Sequence, residues 1–212
     1  GVIPWSRDLI ALVDSYRRGG AGVISVLTEE DFFHGSVRDL QEVGSLCDLP
    51  LLRKDFLFTE YQIVESKVIG ASAVLLIATL LSGKQLNALL RLAEELGIEA
   101  LVECRDEKEV ECALEAGARI VGINNRDLRT FTVSLERTER LAPLIPPGVV
   151  LVSESGITSP GDAARVAKAG AAAVLVGEAC IRHADPAAFI AGLLQSGRTQ
   201  KNRLAQGGKE EC

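Results

Sequence analysis

Short apolar, β-branched runs alternate along this chain with longer amphipathic stretches rich in Ala, Leu, Glu and Arg. Seven of the short runs predict strands: 21–29 (AGVISVLTE), 49–56 (LPLLRKDF), 71–79 (ASAVLLIAT), 98–104 (IEALVEC), 118–125 (ARIVGINN), 148–155 (GVVLVSES) and 171–178 (AAAVLVGE). Their apolar residues are nearly continuous, the pattern of a parallel sheet covered on both faces. The amphipathic stretches predict eight helices: 7–20, 36–48, 59–70, 82–97, 106–117, 134–145, 159–170 and 185–197. The clearest, 82–97, puts Leu86, Leu89, Leu90 and Ala93 on one face and stops at Gly97.

The order is therefore α(βα)7, with a repeat of about 21–28 residues. Such a ladder fits an open doubly wound sheet or a closed (β/α)8 barrel. No G-x-G-x-x-G is present, which removes the usual first turn of the open form. A closed barrel needs an eighth strand. One repeat upstream of Glu29, the end of a first strand falls at or before Gly1. GVIP is too short and holds Pro4, so it does not supply that strand. The expectation is a TIM barrel over 1–197 whose first strand is absent from this sequence. Residues 198–212 (RTQKNRLAQGGKEEC) are expected to form a polar, disordered tail.

Composition narrows the class. The 212 residues are 47% apolar and 25% charged, with a net charge of −6. That balance suits a globular domain and argues against broad nucleic-acid or anionic-membrane binding. No apolar run approaches the ~20 residues of a membrane span. Five scattered cysteines without a C-x-x-C pair fit neither a disulfide framework nor a zinc site. A reducing compartment is expected, the cytoplasm or a plastid stroma. His34 and His183 are far apart, so no metal site is expected.

Chemistry is most visible in PLLRKDF, 50–56. Strand alternation puts Leu52, Lys54 and Phe56 on one face. An ammonium in an apolar row is costly to desolvate, so Lys54 either reaches solvent or faces a cavity built for it. Three further strands repeat the pattern: Glu103 follows Leu101, Asn124 follows Ile120 and Gly122, and Glu154 follows Val150 and Val152. In barrel enzymes the chemistry sits at the C-terminal strand ends, and inward-facing rows would bring these four groups together. Ser155 and Gly156, with Gly177 before a possible short helix, could offer backbone N–H groups to a phosphate. The glycines read equally well as tight βα turns. Glu178 beside a dianion would have to point away.

SVLTEEDFFHGS, PLLRKDF, ALVEC, GINNRDLRTF and LVSESGI, in this order, resemble the indole-3-glycerol-phosphate synthase family from about Gly1 to Gln195. The resemblance implies a (β/α)8 TIM barrel of the ribulose-phosphate-binding type. The implied enzyme is a carboxy-lyase of tryptophan biosynthesis. It closes the indole ring of 1-(2-carboxyphenylamino)-1-deoxyribulose 5-phosphate with loss of carbon dioxide and water. It uses no cofactor and no metal, and its partner is a phosphorylated small molecule, not nucleic acid or membrane.

By position, Lys54 resembles the general acid, Glu103 the proton-handling carboxylate, and Asn124 the residue that orients it. Glu154 and Ser155 resemble a pair contacting hydroxyls and phosphate. Gly156 and Gly177 resemble phosphate-binding N–H donors. Phe33, Phe56 and Leu128 resemble walls around the anthranilate ring, and Arg126 and Leu175 further substrate-binding positions. The family carries a Glu and a second Lys on its first strand, in an E-x-K stretch followed by a phosphate-touching Ser; that segment falls before Gly1. The small polar residue frequent at position 178 is Glu here. A non-catalytic barrel that binds a sugar phosphate therefore stays open as an alternative. A sister barrel, phosphoribosylanthranilate isomerase, would need a Cys–Asp acid/base pair at strand ends, and Cys104 faces away from the Glu103 row.

Overall fold

The computed structural model describes the backbone of residues 8–127 and 130–207, and side chains as far as Gln200. Its strands are β1 (Ile24–Leu27), β2 (Leu51–Lys54), β3 (Ala73–Ile77), β4 (Glu99–Cys104), β5 (Ile120–Asn124), β6 (Val150–Glu154) and β7 (Ala173–Leu175). Ahead of β1 lies α1 (Leu9–Gly19). The strands are followed in turn by α2 (Val37–Leu46), α3 (Glu60–Val68), α4 (Gly83–Glu95), α5 (Glu107–Glu115), α6 (Glu136–Leu141) and α7 (Pro160–Ala169). After β7 come α8 (Glu178–Arg182) and α9 (Pro186–Gly207). Single 3-10 turns, Ala78–Leu80 and Ala142–Leu144, extend β3 and α6.

The helices start where side chains can satisfy their first N–H groups. Ser36, Thr59, Ser82, Asp106 and Ser159 each accept from the backbone N–H three residues on. Thr59–Gln62 and Ser82–Gln85 complete reciprocal capping boxes. The predicted face of α4 is the one that packs, with Leu86, Leu89 and Ala93 buried. Observed strands are shorter than the predicted runs by one to several residues at their ends, where the chain turns away from its ladder partner.

All neighbouring strands pair in parallel, in the order β1 to β7. The result is a curled seven-stranded parallel sheet, an incomplete (β/α)8 barrel open between β7 and β1 among the described residues. Three apolar clusters follow from the alternation of side chains, one of them Val13, Ile24, Val26, Leu40, Val43, Leu51 and Ala71 between β1, β2 and the helices α1 and α2. The largest lies between sheet and helices and includes Val74, Leu76, Leu86, Val102, Val121 and Ile123. The smallest fills the concave face with Leu52, Leu75, Leu101 and Val152, joined by Ile77, Ile120 and Leu175. That inner layer is the floor on which the polar strand ends stand.

One boundary differs from expectation. Helix α9 runs through Gly197, where the sequence placed its end, to Gly207. The stretch after Gly197 holds Arg, Gln, Lys, Leu and Ala, all good helix formers, and one internal Gly costs only ~1 kcal/mol. Residues 208–212 of the expected tail lie outside the described residues.

Candidate active site

Lys54 faces the barrel interior. Its Nζ lies 3.7 Å from Glu103 Oε2, with the lysine side chain 25% and the glutamate side chain 8% exposed. Leu52 below it belongs to the inner apolar layer. The ammonium is therefore neither a free surface charge nor an isolated buried one: a carboxylate across two strands offsets its desolvation.

Glu154 stands at the end of β6, only 2% exposed. Its neighbour in the ladder is Asn124 on one side and Leu175 on the other. Burial, and then the negative charge of Glu103, push its carboxyl up to about 8, against a smaller opposing pull from Lys54. At neutral pH Glu154 is thus predominantly protonated and able to donate. Glu103 Oε2 and Glu154 Oε1 are, among the described residues, the buried side-chain oxygens with no hydrogen-bond partner in place. Buried oxygens of this kind are the ones a polar ligand can satisfy.

Gly122 makes this geometry possible. A Cβ built there would lie 1.9 Å from Glu154 Oε1 and 3.1 Å from Leu101 Cδ1. The missing side chain is the space the carboxyl occupies. Replacing it by alanine (Gly122→Ala) should push the Glu154 carboxyl off its position and lower kcat by about 100-fold, the typical cost of an ångström-scale misplacement. Steady-state kinetics, with circular dichroism to check that the fold persists, decide this; unchanged kcat would show that the Glu154 position is not critical.

Asn124, 9% exposed, closes the same row. Its Oδ1 accepts from Arg126 N at 3.0 Å and its backbone oxygen accepts from Arg137 Nη1 at 2.8 Å. Both bonds fix the end of β5. Arg126 is half-buried and shares a narrow cleft with Glu103, Asn124, Arg105 and Thr79. It pairs with Val133 across the loop between β5 and α6. Leu128, also expected at the site, lies outside the described residues.

The aromatic wall forms between two loops. Phe33, after β1, packs tilted on Phe56, after β2, with ring centroids 5.5 Å apart. Phe32 meets the same ring edge-on at 6.2 Å. Phe32 escaped the sequence reading, though the paired phenylalanines of EDFFHG were its signal.

At the other end of the site, Ser155 and Gly156 both have positive φ, 63° and 80°. A Cβ on Gly156 would sit 2.5 Å from a Val133 methyl, so the β5–α6 loop lies directly over this turn. Gly177 has a negative φ and caps the short α8. Glu178, the residue that threatened a phosphate, turns to Arg182, with Oε1 2.9 Å from Nε. Leu175 packs against the inner layer beneath.

The structure thus brings Lys54, Glu103, Asn124 and Glu154 to one end of one barrel. The sequence reading missed the polar groups behind them. Arg53 and Asn125, one residue away from Lys54 and Asn124, face the helices and are buried at 4% and 1%. Asn125 donates to Ser153 Oγ and to the carbonyls of Glu154 and Ser155, and accepts from Thr138. It ties the ends of β5, β6 and α6 together. Polar residues at alternate positions on strands otherwise apolar were the available signal.

Fold and strand-end cluster define a member of the (β/α)8-barrel enzyme class. Solved structures agree on the fold alone. 3-Hexulose-6-phosphate synthase from Salmonella typhimurium superposes with a TM-score of 0.77 at 16% identity, over 90% of this chain and 92% of that one. Thiamine phosphate pyrophosphorylase from Pyrococcus furiosus gives 0.71 at 17%, over 92% and 91%.

Sequence comparison is more specific. The model of the indole-3-glycerol phosphate synthase family matches residues 1–193. The indole-3-glycerol phosphate synthase of Parafrankia sp. is 46% identical over 205 residues, 97% of this chain and 76% of that protein. That of Carboxydothermus hydrogenoformans is 48% identical over 195 residues, 92% and 74% respectively. The chain belongs to the indole-3-glycerol phosphate synthase family.

Proposed function

We propose that this chain closes the indole ring of 1-(2-carboxyphenylamino)-1-deoxyribulose 5-phosphate with the residues gathered at its strand ends. The observation that carries the reading is the Lys54 ammonium 3.7 Å from the Glu103 carboxylate, on the floor of an apolar barrel.

The chemistry needs three events. The ring carbon bearing the carboxylate bonds to the ketone carbon, and the ketone oxygen takes a proton. The carbon–carboxylate bond then breaks, its electron pair restores the aromatic ring, and carbon dioxide leaves. Finally the new hydroxyl leaves as water with a second proton from Lys54, which solvent has re-protonated through its partly exposed ammonium, and the adjacent methylene gives up a proton to form indole.

Lys54 supplies the first proton, and its positive charge holds the substrate carboxylate until it departs. Glu103 offsets the positive charge that develops as the hydroxyl leaves and takes the methylene proton. Asn124 orients the substrate hydroxyls. Glu154, protonated at neutral pH, donates a hydrogen bond to the sugar chain. Ser155, Gly156 and Gly177 hold the phosphate at a distance from the reacting carbon, which positions the substrate. Phe33 and Phe56 wall the aromatic ring, and Arg126 and Leu175 contact the substrate elsewhere in the site.

Among the described residues the four cysteines are free thiols and no helix is long and apolar enough to cross a membrane. The thiols support a reducing compartment, cytoplasm or plastid stroma. The test is the appearance of indoleglycerol phosphate fluorescence from the carboxyphenylamino-deoxyribulose phosphate substrate. Product formation that depends on Lys54 and Glu103 is expected. Binding of the substrate without any product would favour a non-catalytic sugar-phosphate barrel.

A further inference from the structure

Behind Lys54, on the opposite face of β2, lies a set of buried charges that the proposed chemistry does not use. Arg53 is 4% exposed. Its Nε donates to Thr28 Oγ1 at 3.1 Å and to Asp55 Oδ2 at 3.3 Å, and its Nη2 reaches Asp55 Oδ2 at 3.1 Å. Its Nη1 donates to Glu65 Oε2 at 2.8 Å and Ser66 Oγ at 3.1 Å, both on α3.

Asp55 is the hub. The same Oδ2 accepts from Thr28 Oγ1 at 2.6 Å, and Oδ1 accepts from Phe56 N at 2.7 Å. Thr28 N in turn donates to Lys54 O at 3.1 Å. Lys54 therefore sits between two residues locked on the outer face, with its own carbonyl fixed by β1. Phe56, the next residue, has its N–H held by Asp55 and its carbonyl held by Gln62 Nε2 at 3.0 Å.

Burying such a pair is expensive, and well-packed apolar residues often match or exceed the stability of a buried ion pair. What the charged arrangement adds is direction. One carboxylate makes four bonds to three residues, on two strand ends and the first turn beyond them. Those are the segments that carry Lys54 toward Glu103 and Phe56 toward Phe33.

We propose that Asp55, held by Arg53, is a positioning residue that sets the aim of Lys54 rather than merely supporting the fold. This rests on the reading of Lys54 as the acid. Asp55→Asn keeps only one of the two acceptor oxygens, so either Phe56 N–H or the Thr28–Arg53 pair meets an N–H2 group instead, and the charge opposite Arg53 is gone. In the full chain it should lower kcat about tenfold or more while KM stays within roughly threefold, because aim at the transition state is lost and substrate affinity is not.

Arg53→Lys keeps the buried charges balanced, yet a single ammonium cannot hold Asp55, Thr28, Glu65 and Ser66 in one plane. It should reproduce the kcat loss and serves if Asp55→Asn does not fold. Each variant is assayed well below its thermal midpoint, so that loss of folded protein does not enter. A wild-type kcat in the folded variants overturns the proposal, as does a loss confined to KM. Lys54→Ala, measured alongside, separates the two ideas. If it retains activity the acid assignment fails, whereas if it is inactive and Asp55→Asn is not, positioning alone fails.

Discussion

Lys54→Ala should lower kcat/KM by about 1,000–10,000-fold, the range a positioned general acid contributes. The structure gives two reasons for so large an effect. The ammonium is the cation that faces Glu103 in the inner row. Its charge also pulls the carboxyl of Glu154 downward, against burial and Glu103. Removing it deletes a proton donor and leaves two buried carboxyls beside each other without their counter-charge. Arg at this position distinguishes the two contributions. Lys54→Arg restores a positive charge, but a guanidinium does not release its proton near neutral pH. It should recover stability more than turnover, staying about 100-fold or more below the parent. Full activity in Lys54→Arg would reduce the lysine to an electrostatic part, and full activity in Lys54→Ala would remove it from the mechanism.

The same residue shows what the sequence made legible. A lysine in an apolar strand row has two explanations, and only register separates them. The row Leu52–Lys54, repeated by Leu101–Glu103 and Val152–Glu154, pointed to one shared face. The paired strands place those rows on the concave side. Alternation is a short-range property, so it survives in the sequence. The groups behind the site were less visible. Arg53 and Asp55 face the helices, and their meaning depends on Thr28 and Glu65, which lie 25 and 12 residues from Arg53. The reason for Gly122 was hidden for a similar cause: only the approach of the Glu154 carboxyl from β6 shows why a side chain cannot be there. The length of α9 was misjudged because a single Gly197 was read as a stop, where the helix formers around it outweigh its modest cost.

Glu154→Gln should make the protein more stable and less active, with the gain in stability confined to higher pH. The carboxyl is buried beside Glu103 and is held up to about 8, against an ordinary value of 4.5. Below pH 4.5 it is protonated in both folded and unfolded chains, and it contributes no pH dependence. Between pH 4.5 and 8 the unfolded chain ionises while the folded one keeps its proton, so this group lowers stability steadily as pH rises. Above pH 8 both are ionised and the deficit is constant. Glutamine occupies the same space beside Gly122, carries no charge and cannot titrate. The thermal midpoint of Glu154→Gln should therefore match the parent near pH 5 and exceed it at pH 8.5 by roughly 5 °C or more. Titrating groups remote from Glu154 and Glu103 cancel in the difference between the two proteins. Activity should move the other way, by about 100-fold, because the amide N–H2 cannot reproduce the short O–H hydrogen bond that the neutral carboxyl gives the sugar chain. A midpoint difference that does not change with pH would mean that Glu154 is ionised in the folded protein across the range. That outcome would also remove its role as a donor. The predicted combination has a physical origin in the site itself. A carboxyl buried next to another destabilises the fold at working pH, and catalysis is the one context on this barrel in which that cost has a use.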